Sequence, residues 1–161
     1  MPVETEKSLK ISIIIINFNG AKFIENCIDS IKDSDLDSGC YEIITADNRS
    51  SDNSVDLIKR RYPWVRLVEF GENYGFCKGN NLAATYARGS HLFFLNNDTK
   101  IGPYTLSRML SKIENDEGIA ICGCRMLNYD GTMAFHCGIG IDILGWPVIK
   151  SKLFYIEGSA L

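Results

Sequence analysis

The chain has 161 residues, 45% hydrophobic and 23% charged, with a formal net charge of -3, which suits one domain with a sizeable core and excludes disordered and fibrous classes. The negative balance, without a large basic block, excludes sequence-independent nucleic-acid binding, which needs clustered Lys and Arg against phosphate. The longest apolar stretch, residues 11–16, falls far short of the roughly 20 residues of a membrane helix, and the first ten residues carry no signal-peptide pattern.

After this polar leader (1–10), the Ile-rich run 11–16 predicts a strand buried on both faces, as in a parallel sheet. Phe23, Ile24, Cys27, Ile28 and Ile31 then recur at helical spacing, with Lys22, Glu25, Asp29 and Lys32 on the opposite face. Residues 41–46 predict a second strand, ending in the polar cluster 47–54, and Val55, Leu57 and Ile58 open a helix that Asp52 or Ser54 caps and Pro63 limits. The basic triplet Lys59, Arg60, Arg61 reads as a solvated helix end. A third strand is predicted at 64–70, a glycine-containing loop at 71–79, and a helix through Leu82, Ala83, Tyr86 and Ala87 that Gly89 terminates. A fourth strand follows at 91–95. Pro103 suits the first turn of a helix carrying Leu106, Met109, Leu110 and Ile113 as far as Gly118, and 119–125 predicts a fifth strand. Beyond it, Asp130-Gly131 signals a turn, 132–144 a hairpin or irregular insertion, and 153–156 a last strand. The alternation predicts a parallel α/β architecture occupying 11–161.

In an open α/β sheet, ligands bind beyond the carboxyl ends of the strands, and polar clusters follow each of the first four: Asn17-Phe18-Asn19, Asp47-Asn48, 73–81 and Asn96-Asn97-Asp98. Any one of these is an ordinary Asn/Asp turn; four on one edge point to a ligand. A nucleoside diphosphate needs a base contact, which an Asp47 carboxylate and the face of Phe18 can supply. It also needs close backbone N–H groups, which Gly75 and Gly79 permit, and a cation, which Lys78 offers. Asp98 is the lone carboxylate after the fourth strand, and Mg2+ or Mn2+ takes one or two carboxylates plus substrate phosphates. Neither G-x-x-x-x-G-K-[ST] nor G-x-G-x-x-G after the first strand is present, which speaks against P-loop and dinucleotide sites. No G-x-S-x-G occurs, and His91 and His136 read as core or edge packing rather than hydrolase bases. The six cysteines Cys27, Cys40, Cys77, Cys122, Cys124 and Cys137 read as reduced thiols of a cytosolic protein. Cys122, Cys124, His136 and Cys137 lack the paired spacing of a zinc site.

With these residues in view, the chain resembles the family 2 glycosyltransferases, and within them rhamnosyltransferase-like or galactofuranosyltransferase-like members. The resemblance rests on IIIINFNG (13–20), ITADNRSSDNS (44–54), NYGFCKGNN (73–81) and LNNDT (95–99), in the family's order, with YIEGSAL (155–161) similar to the strand leading to the acceptor side. It implies a GT-A fold, C-terminally truncated here, and an inverting transfer from a UDP- or dTDP-linked sugar to a glycan or lipid-linked acceptor in cell-surface polysaccharide synthesis. By position, Asp47 would contact the nucleobase, and Asn73, Gly75, Lys78, Gly79 and Asn81 would line the ribose and diphosphate, beside Asn17, Phe18 and Asn19. Asn96, Asn97 and Asp98 stand in place of the family's D-x-D; its first carboxylate is an amide here, leaving Asp98 to hold Mg2+ or Mn2+. The resemblance places the general base beyond Leu161, since Asp130, Asp142 and Glu157 stand outside the family's base context. A cytoplasmic location at the inner face of the membrane, with peripheral association through segments outside 1–161, is the corresponding expectation. The alternative is a non-catalytic nucleotide-sugar-binding module.

Overall fold

The structure is a computed structural model that describes residues 8–124 and 126–128, together with the strand backbones at 134–136, 139–141 and 147–149. Two compact units divide it: one holds the described residues up to Lys100 except 33–35, and the other holds 33–35 with those from Ile101 onward.

The first unit is built on β1 (Ile11–Asn17), β2 (Tyr41–Asp47), β3 (Arg66–Glu69) and β4 (His91–Asn96), all parallel, in the order β3-β2-β1-β4. β1 is paired on both edges, and its Ile13, Ile14 and Ile15 are fully buried, so the isoleucine run fills both faces of the sheet as predicted. Each such side chain contributes about 1.5–3 kcal/mol relative to exposure. On one face Ile14, Ile44 and Ala46 pack with Ala83 of α3 (Gly75–Ala84), and Ile16, Val68, Phe70 and Ala87 border them. The helices α1 (Ile24–Lys32) and α2 (Ser54–Arg61) bury Ile24, Cys27, Ile28, Ile31 and Ile58. Tyr62, just past α2, donates to Asp29 Oδ1 on α1 at 3.0 Å. The basic end of α2 is solvated, with Lys59 paired to Glu69 and Arg61 to Glu25.

At the amino edge of the sheet Glu42 is clamped. Its Oε1 accepts from Ser12 Oγ (2.7 Å) and Arg88 N (2.8 Å), and its Oε2 accepts from Arg88 Nε (3.0 Å) and Nη2 (2.7 Å). Burial works to raise the Glu42 carboxyl, but the bonds from Arg88 and Ser12 outweigh it and hold the group below its usual range. His91 opens β4 with Nδ1 near Ser90 Oγ and Lys10 O, an edge position rather than a catalytic one.

Several boundaries differ from expectation. The third strand is confined to Arg66–Glu69, because Val65 N turns back to Tyr62 O. Half of the predicted glycine loop is helix: Asn73 Oδ1 accepts from Gly75 N at 2.8 Å and starts α3 there. That helix stops at Ala84, where Thr85, Tyr86 and Ala87 close tighter turns onto Leu82, Ala83 and Ala84. Gly89 therefore does not end it; a Cβ there would lie within 3.0 Å of the Ile11–Ser12 backbone. At α2, Asn53 holds the cap position without a side-chain bond, while Asp52 Oδ1 accepts from Ser54 N at 3.0 Å.

In the second unit α4 (Thr105–Glu114) begins two residues after Pro103 and buries Leu106, Met109 and Leu110. The predicted fifth strand is not formed at 119–124, where Ile121 is 92% exposed; an apolar run becomes a strand only where a neighbour completes its ladder. Among the described residues here the strands are two antiparallel pairs: β5 (Met126–Leu127) with β6 (Ala134–His136), which flank the expected turn, and β7 (Ile139–Ile141) with β8 (Pro147–Ile149). Residues 153–156, Asp130, Asp142 and Glu157 lie outside the described residues.

Candidate functional site

The register sets Asn17 level with Asp47, Asp47 level with Glu69, and Ile16 level with Asn96, so the strands end at one edge. The chain steps outward from β1 to β3 and then crosses to the far side of β1 for β4. This reversal is the switch point where an open sheet leaves a crevice. A cleft of about 330 Å³ opens there. β1 and its end supply Ile16 and Phe18, the end of β2 supplies Asn48, the entry to α3 supplies Asn73, Gly75 and Phe76, and the end of β4 supplies Asn96, Asn97 and Asp98.

Six of the residues singled out from sequence thus meet at one cavity: Phe18, Asn73, Gly75, Asn96, Asn97 and Asp98. Phe18 and Phe76 are 49% and 63% exposed, so two flat apolar faces stand free on the walls. Gly75 has φ +69, a conformation that favours glycine at the mouth of α3.

Asn17 and Asp47 are placed differently, under the cleft rather than in its lining. Asp47 is 3% exposed, and its carboxylate accepts from Asn17 Nδ2 (2.7 Å), Ser50 Oγ (2.6 Å) and Ser50 N (2.8 Å). It is engaged in holding the loop after β2. Asn19, at φ 51, accepts on Oδ1 from Ser51 N (2.8 Å) and so joins the loop after β1 to the same segment. Asp52 Oδ2 accepts from Ala21 N at 2.9 Å. Burial pushes its carboxyl upward, and the opposing bonds from Ser54 and Ala21 hold it below the usual range.

Gly79 is buried within α3, where a Cβ would meet the Asn48 amide at 3.3 Å, so its smallness serves packing there. Lys78 rests its ammonium 4.1 Å above the Tyr74 ring. Asn81 is exposed on α3 outside the cleft lining.

Asn48 stands in the sequence only as the second member of the Asp47-Asn48 cluster, with no role of its own. It is 2% exposed, donates from Nδ2 to Gly75 O (3.1 Å) and accepts on Oδ1 from Tyr74 N (3.3 Å), so it ties the β2 end to the α3 entry while lining the cleft. Its adjacency to Asp47 was the available signal. Alternation along an extended chain turns one of two neighbours inward and the other toward the cavity.

Asp98 is exposed, and among the described residues it is the only acidic one lining the cleft. Its negative charge, after burial, is the second cause of the high Cys27 pKa, about 12; that thiol donates to Asn96 O at 3.5 Å. Among the described residues no three His, Cys, Asp or Glu side chains gather. One carboxylate beside two neutral amides fits a hard cation that draws the rest of its shell from phosphate and water, as Mg2+ does, and not a closed protein cage.

Residues 12–156 match the family model described as glycosyl transferase family 2. The chain is 31% identical over 128 residues to the poly(ribitol-phosphate) beta-glucosyltransferase of Bacillus spizizenii, covering 76% of this chain and 20% of that protein. It thus spans about a fifth of the length of that relative. Among solved structures it superimposes on S. aureus TarS 1-349 in complex with UDP-GlcNAc (TM-score 0.62, 18% identity, 76% of this chain and 42% of that one). It also superimposes on the mannosyltransferase PcManGT from Pyrobaculum calidifontis in complex with GDP-Man and Mn2+ (TM-score 0.61, 21% identity, 77% and 36%). At these identities the likeness establishes the fold, a GT-A arrangement. No helix among the described residues is long and apolar enough to cross a membrane.

Proposed function

This chain belongs to glycosyl transferase family 2, and we propose that it is the donor-binding part of an enzyme that moves a sugar from a UDP- or dTDP-linked donor onto a glycan or lipid-linked acceptor in cell-surface polysaccharide synthesis, on the cytoplasmic side of the membrane. The observation that carries this is the cleft at the switch point, where aromatic faces, amides, a helix entry and the single carboxylate Asp98 share one cavity. The glucosyltransferase relative and the sugar-nucleotide complexes of the two structural neighbours support the same substrate class.

Phe18 offers a flat apolar face to the base. Asn48 keeps one N–H and one lone pair beyond its two internal bonds, which suits reading a base edge; the contact the resemblance assigns to Asp47 passes to its neighbour. The first turn of α3 presents backbone N–H groups and the positive end of the helix dipole, which favour a diphosphate. Lys78, in that turn, exchanges its place over Tyr74 for phosphate. Asp98, with Asn96 and Asn97 beside it, would hold Mg2+ or Mn2+, which supplies charge neutralisation on the departing diphosphate. Inverting attack also requires a base at the acceptor hydroxyl. With Asp98 given to the metal, the acidic side chain for that step comes from outside the described lining of this cleft.

Calorimetry with UDP, dTDP and UDP-GlcNAc, with and without Mn2+, tests the proposal. Binding that strengthens with the metal is expected, and no heat at about 1 mM ligand, a free energy near -4 kcal/mol, would overturn it.

A further inference from the structure

Beneath the cleft lies a buried polar junction made by Asn17. This side chain is fully buried at the end of β1, and its amide serves two loops at once. Nδ2 donates to Asp47 Oδ1 (2.7 Å) and Ser54 Oγ (2.8 Å), on the β2 side. Oδ1 accepts from Asn97 Nδ2 (3.2 Å), on the β4 side. Because the two donations fix the amide's orientation, Oδ1 must point at Asn97. Asn97 is half-buried between the exposed Asn96 and Asp98, and Thr99 closes the same turn onto Asn96 O through its N–H (3.2 Å) and Oγ1 (2.7 Å). The direction in which Asp98 leaves the chain follows from that turn.

Gly20 supplies an independent observation. Its φ is not in the left-handed region, so its backbone does not require glycine. A Cβ there, however, would come within 3.0 Å of both Asn17 Oδ1 and Asn97 Nδ2, the two atoms of this hydrogen bond. We infer that Asn17 is a positioning residue that orients the Asn96–Asp98 turn through Asn97, and that position 20 lacks a side chain so that this bond can form. The consequence for ligand binding rests on the donor-binding function proposed above; the junction itself does not.

The test compares wild type, Gly20→Ala, Asn97→Ala and the double variant in two measurements. In ligand-free protein, the NMR signals of the Asn97 side-chain amide should move in Gly20→Ala. In calorimetry with UDP, Gly20→Ala should lower the enhancement of affinity by Mn2+ about five- to tenfold, the loss of one hydrogen bond's orienting effect. The metal-free affinity should stay within about twofold, and in the Asn97→Ala background the alanine at 20 should add nothing further. Unmoved Asn97 amide signals overturn the inference, as do additive losses. If the alanine at 20 does not fold, the Asn17 amide signals must move in Asn97→Ala, and their constancy overturns it equally. Should wild type bind no nucleotide, the proposed function fails while the ligand-free spectra still decide the junction.

Discussion

Replacing Asp47 with Ala separates a loop-holding role from a ligand-binding one. The carboxylate is buried and accepts three hydrogen bonds of 2.6–2.8 Å, two of them from Ser50. A hydrogen bond to a charged group contributes about 1.5–3 kcal/mol. The two from Ser50 share one residue and do not add fully, while Asn17 Nδ2 keeps Ser54 Oγ as a partner. The expected cost is therefore about 3–5 kcal/mol, a large part of the 5–15 kcal/mol that stabilises an ordinary domain. Thermal melting should fall by about 10 °C or more for a unit of this size. The assay is a melt and a urea titration of wild type and Asp47→Ala, with nucleotide affinity measured where both remain folded. A variant that melts like wild type yet no longer binds nucleotide would refute the reasoning and put the carboxylate back in the cleft.

Asp98→Asn should leave metal-free nucleotide binding intact and abolish its enhancement by Mn2+, since a neutral amide does not anchor a hard cation; unchanged metal dependence in calorimetry would move the metal elsewhere. Glu42 has a depressed pKa in the fold, so its stabilisation is present above the unfolded value and lost as pH falls through the folded one. Urea midpoints measured between about pH 3 and 6 should therefore drop for wild type and drop less for Glu42→Gln, and parallel curves would refute the clamp. Thr45 is fully buried, and its hydroxyl has no partner among the described residues. Thr45→Val should be neutral or stabilising by up to about 1 kcal/mol in a denaturant titration, and a clear loss would reveal a partner for that oxygen.

The parallel sheet and its helices are legible in the sequence. The isoleucines of β1, the four-residue stripe of α1 and the stripe of α4 each follow a local period, and a local period is carried by the chain itself. The cleft's location was legible for the same reason, since the ends of parallel strands share an edge wherever the strands do. The run at 119–125 misled because its apolar residues match a strand in composition, whereas a strand also needs a partner, which composition does not contain. Half of the 71–79 loop misled because its three glycines and one asparagine outweigh, by propensity, a helix that Asn73 starts with one side-chain bond.

What the sequence determined by itself is which segments are strands and helices around β1 and which edge carries the polar ends. What only the tertiary structure decided is which polar residue at each end lines the cleft. Asp47 and Asn48 are adjacent and chemically alike, yet one is bonded to Asn17 across 30 positions and the other to the backbone of Gly75 across 27. Gly20 and Gly79 look like loop glycines until the amides of Asn17, Asn97 and Asn48 are seen filling the space beside them. The reason is physical: periodicity is fixed between neighbours along the chain, whereas burial of a polar group is tolerated only where a distant segment supplies its hydrogen-bond partner.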